Sequence, residues 1–212
     1  MTLDGLTWFS LVLTAYLIGG IPTAYLVTRL LIGKDIRKLG DHNPGAANVF
    51  RNVSPKAGVA VGVVDILKGA LAVLLDRGLM DSTALEFMAG IAVLAGHNWP
   101  VHLGFRGGRG AATAVGVLLS IVPVIALPAS AVGLVVLRVT KKATVALGVF
   151  LIAVPFLAWP AGYSHTVVSY TVAVSVLVGL THFVSTRVLA PQGSLESDQA
   201  DERALTQGQL FL

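Results

Sequence analysis

AATAVGVLLSIVPVIALPASAVGLVVL, Ala111 to Leu137, decides the fold. It carries no charge and can be read in two ways. As one span kinked at Pro123 or Pro128, it places Arg106 and Arg109 on the opposite side of a membrane from Arg138, Lys141 and Lys142. As two short helices turning near Pro123, it places all five on one side. Short cytoplasmic loops concentrate Lys and Arg, so the second reading is preferred.

The rest of the chain supports a bilayer as its solvent. Hydrophobic residues make up 55% and charged residues 12% of the 212 positions, with a mean hydropathy of +0.79. These values lie far from soluble globular composition. The expected fold is all-α, a polytopic integral membrane helix bundle of seven transmembrane segments. The apolar runs are Trp8–Ile32, Ala57–Leu75, Ala84–Val101, Ala111–Val122, Val124–Leu137, Thr144–Ala161 and Val167–Val184. Lys34, Arg37, Lys38, Arg51, Lys56, Arg106, Arg109, Lys141, Lys142 and Arg187 then fall on the cytoplasmic side, and only Arg77 lies clearly outside. The amino terminus is accordingly expected outside and the carboxyl terminus inside. Runs four and five are shorter than the ~20 residues that cross a bilayer. The first run lacks a small-residue cleavage site and leads into a basic loop, so it reads as a retained span. Residues 1–189 form one transmembrane domain in this reading. Residues 190–212, rich in Gln, Ser, Asp and Glu, read as a disordered cytoplasmic tail. The formal charge of +4 sits in short loops and is topogenic, so no nucleic-acid partner is expected. The chain has no cysteine, which removes thiolate nucleophiles and thiolate metal sites.

Three basic or glycine-rich clusters interrupt the apolar runs: GDHNPGAANVFR (Gly40–Arg51), DILKG (Asp65–Gly69) and GHNWPVHLGFRGGRGAAT (Gly96–Thr113). Polar residues at this density are costly in lipid and point to an anionic ligand. In the third cluster, Arg106, Gly107, Gly108, Arg109 and Gly110 run directly into an apolar helix. Free N–H groups, the helix dipole and two guanidiniums favour a phosphate there, although a topogenic loop with turn glycines fits equally. In the first cluster, Asn43, Asn48 and Arg51 offer donors around a stretch that Gly40, Pro44 and Gly45 keep non-helical until about Ala46. An ordinary Asn/Gly surface loop is the alternative. Asp65 and Lys68 share one helix face, about 14 Å in from Lys56 at 1.5 Å per residue. They form either part of a ligand site or a purely structural ion pair.

The order and wording of these clusters, with Gly19-Gly20-Ile21-Pro22 upstream, resemble the bacterial acyl-phosphate-dependent glycerol-3-phosphate acyltransferase family. These are small seven-helix inner-membrane enzymes. The resemblance extends to about Leu189. It implies transfer of a fatty acyl group from acyl phosphate to the 1-hydroxyl of glycerol 3-phosphate, giving lysophosphatidic acid. The family pattern GSGNxGxxNxxR falls on Gly40, Asn43, Gly45, Asn48 and Arg51, and DxxKG falls on Asp65, Lys68 and Gly69. GHxxP followed by FKGGKG falls on Gly96, His97, Pro100, Phe105, Gly107, Gly108 and Gly110, with Arg106 and Arg109 at the lysine positions. A last-helix histidine matches His182.

There are departures from the pattern. Asp41 stands at the serine, His42 at the following glycine, and Ser185 at the asparagine three residues beyond the last-helix histidine. His97 and His182 are the candidate catalytic residues for orienting the hydroxyl or moving its proton, with Asn43 positioning the reacting groups; a hydrogen-bonded packing histidine is the alternative. Asp41, Asn48, Arg51, Asp65, Lys68, Arg106, Gly107, Gly108, Arg109, Gly110 and Ser185 are the substrate-binding set. Acyl phosphate is already activated, so holding two anions and orienting a hydroxyl suffices; no metal and no cofactor is expected. Partners are the two substrates and membrane lipid. The sequence shows no Ser-His-Asp order or acidic pair, which favours direct transfer over an acyl-enzyme. An organic-phosphate transporter would be expected to show internal repeats, and none is evident. The other rival is an inactive or acceptor-altered relative that binds acyl phosphate or lipid.

Sidedness is directly measurable. Cysteines introduced at Asn52 and Thr140 should be blocked by a membrane-impermeant thiol reagent in inverted vesicles only. Labelling of either from the outer face would overturn the seven-segment reading.

Overall fold

The protein is described by a computed structural model that covers residues 3–188. Among the described residues every regular element is helical. The first expected span is two helices, α1 (Leu3–Gly20) and α2 (Thr23–Ile32). Pro22 has no N–H to continue the ladder, and the residue before a proline is pushed out of helical geometry. Pro22 itself takes φ −88 and ψ 69. The expected span Trp8–Ile32 is thus built from two helices within one apolar segment, and at the break the Ile21 carbonyl accepts from the Thr23 N–H at 3.0 Å.

Gly33, in left-handed geometry at φ 69, ends α2. A loop follows, then the short α3 (Ala46–Asn52). The long α4 (Pro55–Met80) begins with Ser54 as cap and Pro55 in the first turn, where a missing N–H does no harm. α5 (Thr83–Asn98) stops before Pro100. α6 (Ala111–Ile121) and α7 (Pro123–Thr140) are separated at Val122, which has φ −130 and ψ 59. α8 (Ala143–Ala158) and α9 (His165–Phe183) complete the bundle, and α9 widens into a π turn over Val184–Val188. All seven apolar runs are thus helical. Ala111 and Ala112 at the start of α6 line the same cavity as Leu137, Arg138 and Lys141 at the end of α7. The chain therefore reverses near Pro123. The segments Gly5–Ile32, Pro55–Met80, Pro123–Thr140 and His165–Thr186 are long and apolar enough to cross a membrane, whereas α6 and α8 are shorter. The proposed tail, residues 190–212, lies outside the described residues.

α4 is the axis of the bundle and packs against α1, α2, α3, α5 and α6. Its buried positions Gly58, Val61, Asp65, Lys68, Gly69, Ala72, Val73 and Asp76 recur at helical spacing along one stripe. Leu67, Leu71 and Leu74 on the other side are exposed, as lipid-facing residues should be. Helices in lipid gain little from hydrophobic association and associate through close van der Waals contact at small residues. Gly69 lies against the Thr113 carbonyl, Gly116 against that of Ile66, Gly19 against that of Val93, and Gly96 against that of Tyr16. Far from the clusters, Arg77 in α4 donates to Glu86 in α5 (Nε to Oε1, 3.0 Å) and to the Ser120 carbonyl of α6 at 3.0 Å. That pair ties three helix ends together.

A Cβ at Gly116 has only the α4 backbone to meet, whereas Gly148 on α8 faces open space. Gly116→Val should therefore cost about 1–3 kcal/mol of stability, the range for overpacking. Gly148→Val should change the melting temperature in detergent far less. Equal melting temperatures would remove the close α4–α6 approach as a determinant of the fold.

Candidate functional site

The loop between α2 and α3 is built by short-range hydrogen bonds. Asp35 caps a 3-10 turn, Ile36–Lys38, by accepting from the Arg37 N–H at 3.0 Å. The Arg37 guanidinium holds the Asp35 carboxyl below its usual value through its hydrogen bond. The same guanidinium lies over the Tyr25 ring and donates to the Leu103 carbonyl at 3.1 Å, which links this loop to the third cluster. His42 sits at φ 57, and its Nδ1 donates to the Arg37 carbonyl at 3.1 Å. Asn48 is wholly buried. Its amide donates to the carbonyls of Leu39 and Asn43, both at 2.9 Å, and its Oδ1 accepts from Asn52 at 2.7 Å. Asn48 thus spends its side chain shaping the loop, and does not line the cavity below.

The second cluster is a buried ion pair. Lys68 Nζ lies 2.8 Å from Asp65 Oδ1, with side-chain exposures of 5% and 3%. Lys68 also donates to the Ile21 carbonyl at 3.2 Å, an oxygen at the Pro22 break that accepts from the Thr23 N–H as well. Thr23, which sequence reading missed, donates to Asp65 Oδ1 at 3.1 Å. His97 Nδ1 is 3.9 Å from that same oxygen, too far for a hydrogen bond.

The third cluster folds back under α5. The Gly107 N–H donates to the Asn98 carbonyl and the Gly108 N–H to the His97 carbonyl, both at 3.1 Å. The two N–H groups expected to meet an anion are therefore committed to the last carbonyls of α5. The glycines are needed because a side chain at Gly107 would strike the His97 carbonyl and one at Gly108 the His97 ring. Gly110, at φ 78, turns the chain into α6. Asn98, also missed, is buried against Gly110 with neither side-chain polar atom bonded to protein. Arg106 is exposed and stands apart from the cavity lining.

Arg109 gathers the rest. Its Nε donates to Ser185 Oγ at 3.0 Å, and its Nη1 lies 3.4 Å from Asp41 Oδ2. Arg51 Nη2 donates to the same Asp41 oxygen at 3.1 Å. Thr181 fixes the Arg109 backbone by donating to its carbonyl at 3.0 Å. Burial lowers the pKa of the Arg109 guanidinium, with Asp41 acting in the opposite direction; a guanidinium remains charged at any physiological pH. Asp41 and Ser185, two of the departures from the expected pattern, thus meet on a third, the arginine at a lysine position.

A cavity of ≈ 610 Å³ joins these clusters. Asn43, Arg51, Asp65, His97, Arg109, Gly110 and His182 all line it, together with apolar residues of α7, α8 and α9 such as Leu137, Leu147 and Val178. Lys68, Gly107 and Gly108 line a small adjoining cleft that also touches Asp65 and His97. Among the described residues no three His, Cys, Asp or Glu side chains converge as a metal cage. The arrangement can seat an anion at Arg51 and Arg109, place a polar group between His97, His182 and Asn43, and shelter a hydrocarbon chain.

Losing one partner of the Asp65–Lys68 pair should leave an uncompensated buried charge, at a cost of about 3–5 kcal/mol. Lys68→Met should therefore melt at much lower temperature in detergent, and Lys68→Met with Asp65→Asn should recover most of the loss. A single variant as stable as the parent would show that the pair does not anchor the break at Pro22.

Residues 9–190 match the family described as "Glycerol-3-phosphate acyltransferase". Glycerol-3-phosphate acyltransferase 4 of Dehalococcoides mccartyi is 43% identical over 176 residues, which is 83% of this chain and 95% of that protein. Glycerol-3-phosphate acyltransferase of Clostridioides difficile is 41% identical over 140 residues, covering 64% of this chain and 69% of that one. The fold is similar to the crystal structure of PlsY, an integral membrane glycerol 3-phosphate acyltransferase, in its glycerol 3-phosphate form. The TM-score is 0.77 at 28% identity, over 95% of this chain and 93% of that one. The lysophosphatidic acid form gives a TM-score of 0.74 at 30% identity, covering 83% and 88% of the two chains. With an all-helical apolar bundle and three converging clusters, the chain belongs to the glycerol-3-phosphate acyltransferase family and is a multi-pass membrane acyltransferase of phospholipid synthesis.

Proposed function

We propose that this protein transfers a fatty acyl group from acyl phosphate to the 1-hydroxyl of glycerol 3-phosphate, giving lysophosphatidic acid and inorganic phosphate. In this reading it crosses a bacterial inner membrane seven times and works at the cytoplasmic face. The observation that carries it is the cavity in which Arg51, Arg109, His97, His182 and Asn43 meet an apolar wall. Such a cavity suits two phosphates and one acyl chain. The related structures named for their glycerol 3-phosphate and lysophosphatidic acid forms support the acceptor and the product.

Arg51 and Arg109 hold phosphate, with Asp41 and Ser185 setting the guanidinium of Arg109. Asn48 acts from beneath the loop, and Lys68 from beneath the Pro22 break. Gly107, Gly108 and Gly110 bring the third loop close enough for Arg109 to enter, and Arg106 adds long-range attraction from outside. Asn43 orients the acceptor. The acceptor hydroxyl oxygen attacks the acyl carbonyl carbon, the new ester C–O bond forms, and the bond from that carbon to the phosphate oxygen breaks. The hydroxyl proton passes to the departing phosphate, directly or through His97 or His182. Preorganised cations supply the stabilisation of charge on the leaving phosphate.

A second reading, an altered acceptor, is favoured by one observation: the Asp41 carboxylate already bridges the two phosphate-binding arginines. Purified protein given palmitoyl phosphate should release phosphate only when glycerol 3-phosphate is present. Arg109→Ala should lose about 2 kcal/mol of transition-state stabilisation, the size of one charge-assisted contact, while staying folded. Arg109→Lys should regain part of it. Parental turnover in Arg109→Ala would return the loop to a topogenic turn. Asp41→Ser should keep or raise activity on glycerol 3-phosphate, and abolished transfer would make Asp41 a base or acceptor selector.

A further inference from the structure

His97 stands between the main cavity and the small cleft beside it, since it lines both. Its two ring nitrogens face different groups. Nδ1 lies 3.9 Å from Asp65 Oδ1, and the two side chains are 9% and 3% exposed. Nε2 faces Gly108, where a Cβ would lie 2.3 Å from it. Two buried polar groups just beyond direct hydrogen-bond range are at the spacing of a water-mediated contact. With legs of about 2.8 Å, a water oxygen spans this gap at an angle of about 90°.

The cleft has the room and the partners for such a water. It leaves ≈ 10 Å³ for the centre of a water molecule, and Ile21, Thr23, Asp65, Lys68, His97 and Gly108 are among the residues around it. One water needs about that volume and about three hydrogen bonds to hold it. An ionised carboxylate has about four acceptor sites, and Thr23 and Lys68 take two of those on Asp65. An ammonium has three N–H groups, and Asp65 and the Ile21 carbonyl take two of those on Lys68. An N–H of Lys68, an acceptor site of Asp65 and Nδ1 of His97 therefore remain for the water. A carboxylate only accepts, so the nitrogen turned toward it is stabilised with its proton on and not with its lone pair facing the charge. The bond made by one imidazole nitrogen sets the state of the other.

We propose that Asp65 is a positioning residue for His97, acting through one water in this cleft. The water accepts from His97 Nδ1–H and from Lys68, and donates to the Asp65 carboxylate. The proton of the neutral ring is thereby kept on Nδ1, and Nε2 is left as an acceptor beside the α5–α6 loop. What that acceptor serves rests on the acyltransferase reading above. Nε2 takes the hydroxyl proton of the acceptor as the ester C–O bond forms, and returns it to the phosphate oxygen released when the acyl C–O bond breaks.

The tautomer is measurable without turnover. With ring-15N histidine in detergent at mildly alkaline pH, the two nitrogen shifts of His97 should report Nδ1 protonated and Nε2 bare; His97→Gln identifies the signal among the five histidines. In Asp65→Asn/Lys68→Met, which leaves no uncompensated buried charge, the proton should move wholly or partly to Nε2. A parent ring protonated on Nε2, or on both nitrogens, would overturn the proposal, and so would an unchanged tautomer in the double variant. Should that variant not fold, the parent shifts decide. In the transfer of palmitoyl groups from palmitoyl phosphate to glycerol 3-phosphate, the double variant should lower kcat about tenfold or more in the parent background and add little to His97→Gln. Equal losses in both backgrounds would mean that Asp65 does not act through His97, and parental turnover in His97→Gln would remove the proton role; either sinks the positioning role. Should the parent transfer no acyl group yet show the Asp65-dependent Nδ1 tautomer, the water bridge stands and the acyltransferase reading falls.

Discussion

The ion pair of Asp65 and Lys68 is the constraint on which the rest of the molecule depends. Both side chains are almost fully buried in the middle of α4. Desolvating two such charges costs several kcal/mol per ion, which only good geometry and extra hydrogen bonds offset. Those extra bonds come from the first apolar run: Thr23 donates to Asp65, and the Ile21 carbonyl accepts from Lys68. That carbonyl also accepts from the Thr23 N–H at 3.0 Å, so the contacts of the pair converge on the Pro22 break and hold the junction of α1 and α2 against the middle of α4. Because Asp65 also lines the cavity, the same pair sets one wall of the site.

Glycine then determines how close the other elements come. Gly69 and Gly116 let α4 and α6 touch along their backbones, and Gly19 and Gly96 do the same for α1 and α5. In the third cluster the glycines serve a different end. Gly107 and Gly108 donate to the carbonyls that α5 leaves unsatisfied at its carboxyl end. Their N–H groups are thereby bonded within the protein, and it is the side chains of Arg109 and Arg51 that line the cavity. A loop that reads as a phosphate cradle works here as a bracket that aims one guanidinium.

That guanidinium also contacts two of the departures from the family pattern, Asp41 and Ser185. An arginine is longer than a lysine, planar, and presents several donors in a fixed fork. Asp41 and Ser185 occupy two of those directions in this chain. The π turn over Val184–Val188 begins one residue before Ser185, at the point where α9 must bring a side chain to Arg109. π turns arise where a site needs a side chain re-aimed. Asp41, Arg109 and Ser185 thus form one bonded group in this chain.

The sequence by itself determined the class, the apolar helices and the reversal near Pro123. Hydropathy and loop charge act locally and in register with the chain, so they can be read without knowing any long-range contact. The clusters were legible for the same reason: charged residues in apolar runs need partners. What the tertiary structure decided were the partners. Lys68 meets a carbonyl 47 positions away and Arg109 meets Ser185 across 76, and no spacing rule encodes such contacts. Thr23 and Asn98 gave no signal beyond their residue types. The split of the first span had a local sign in Gly19-Gly20-Ile21-Pro22, but prolines are tolerated within transmembrane helices when neighbours satisfy the freed groups. What meets the break, Lys68 of α4 at the Ile21 carbonyl, was set by the packing of α4.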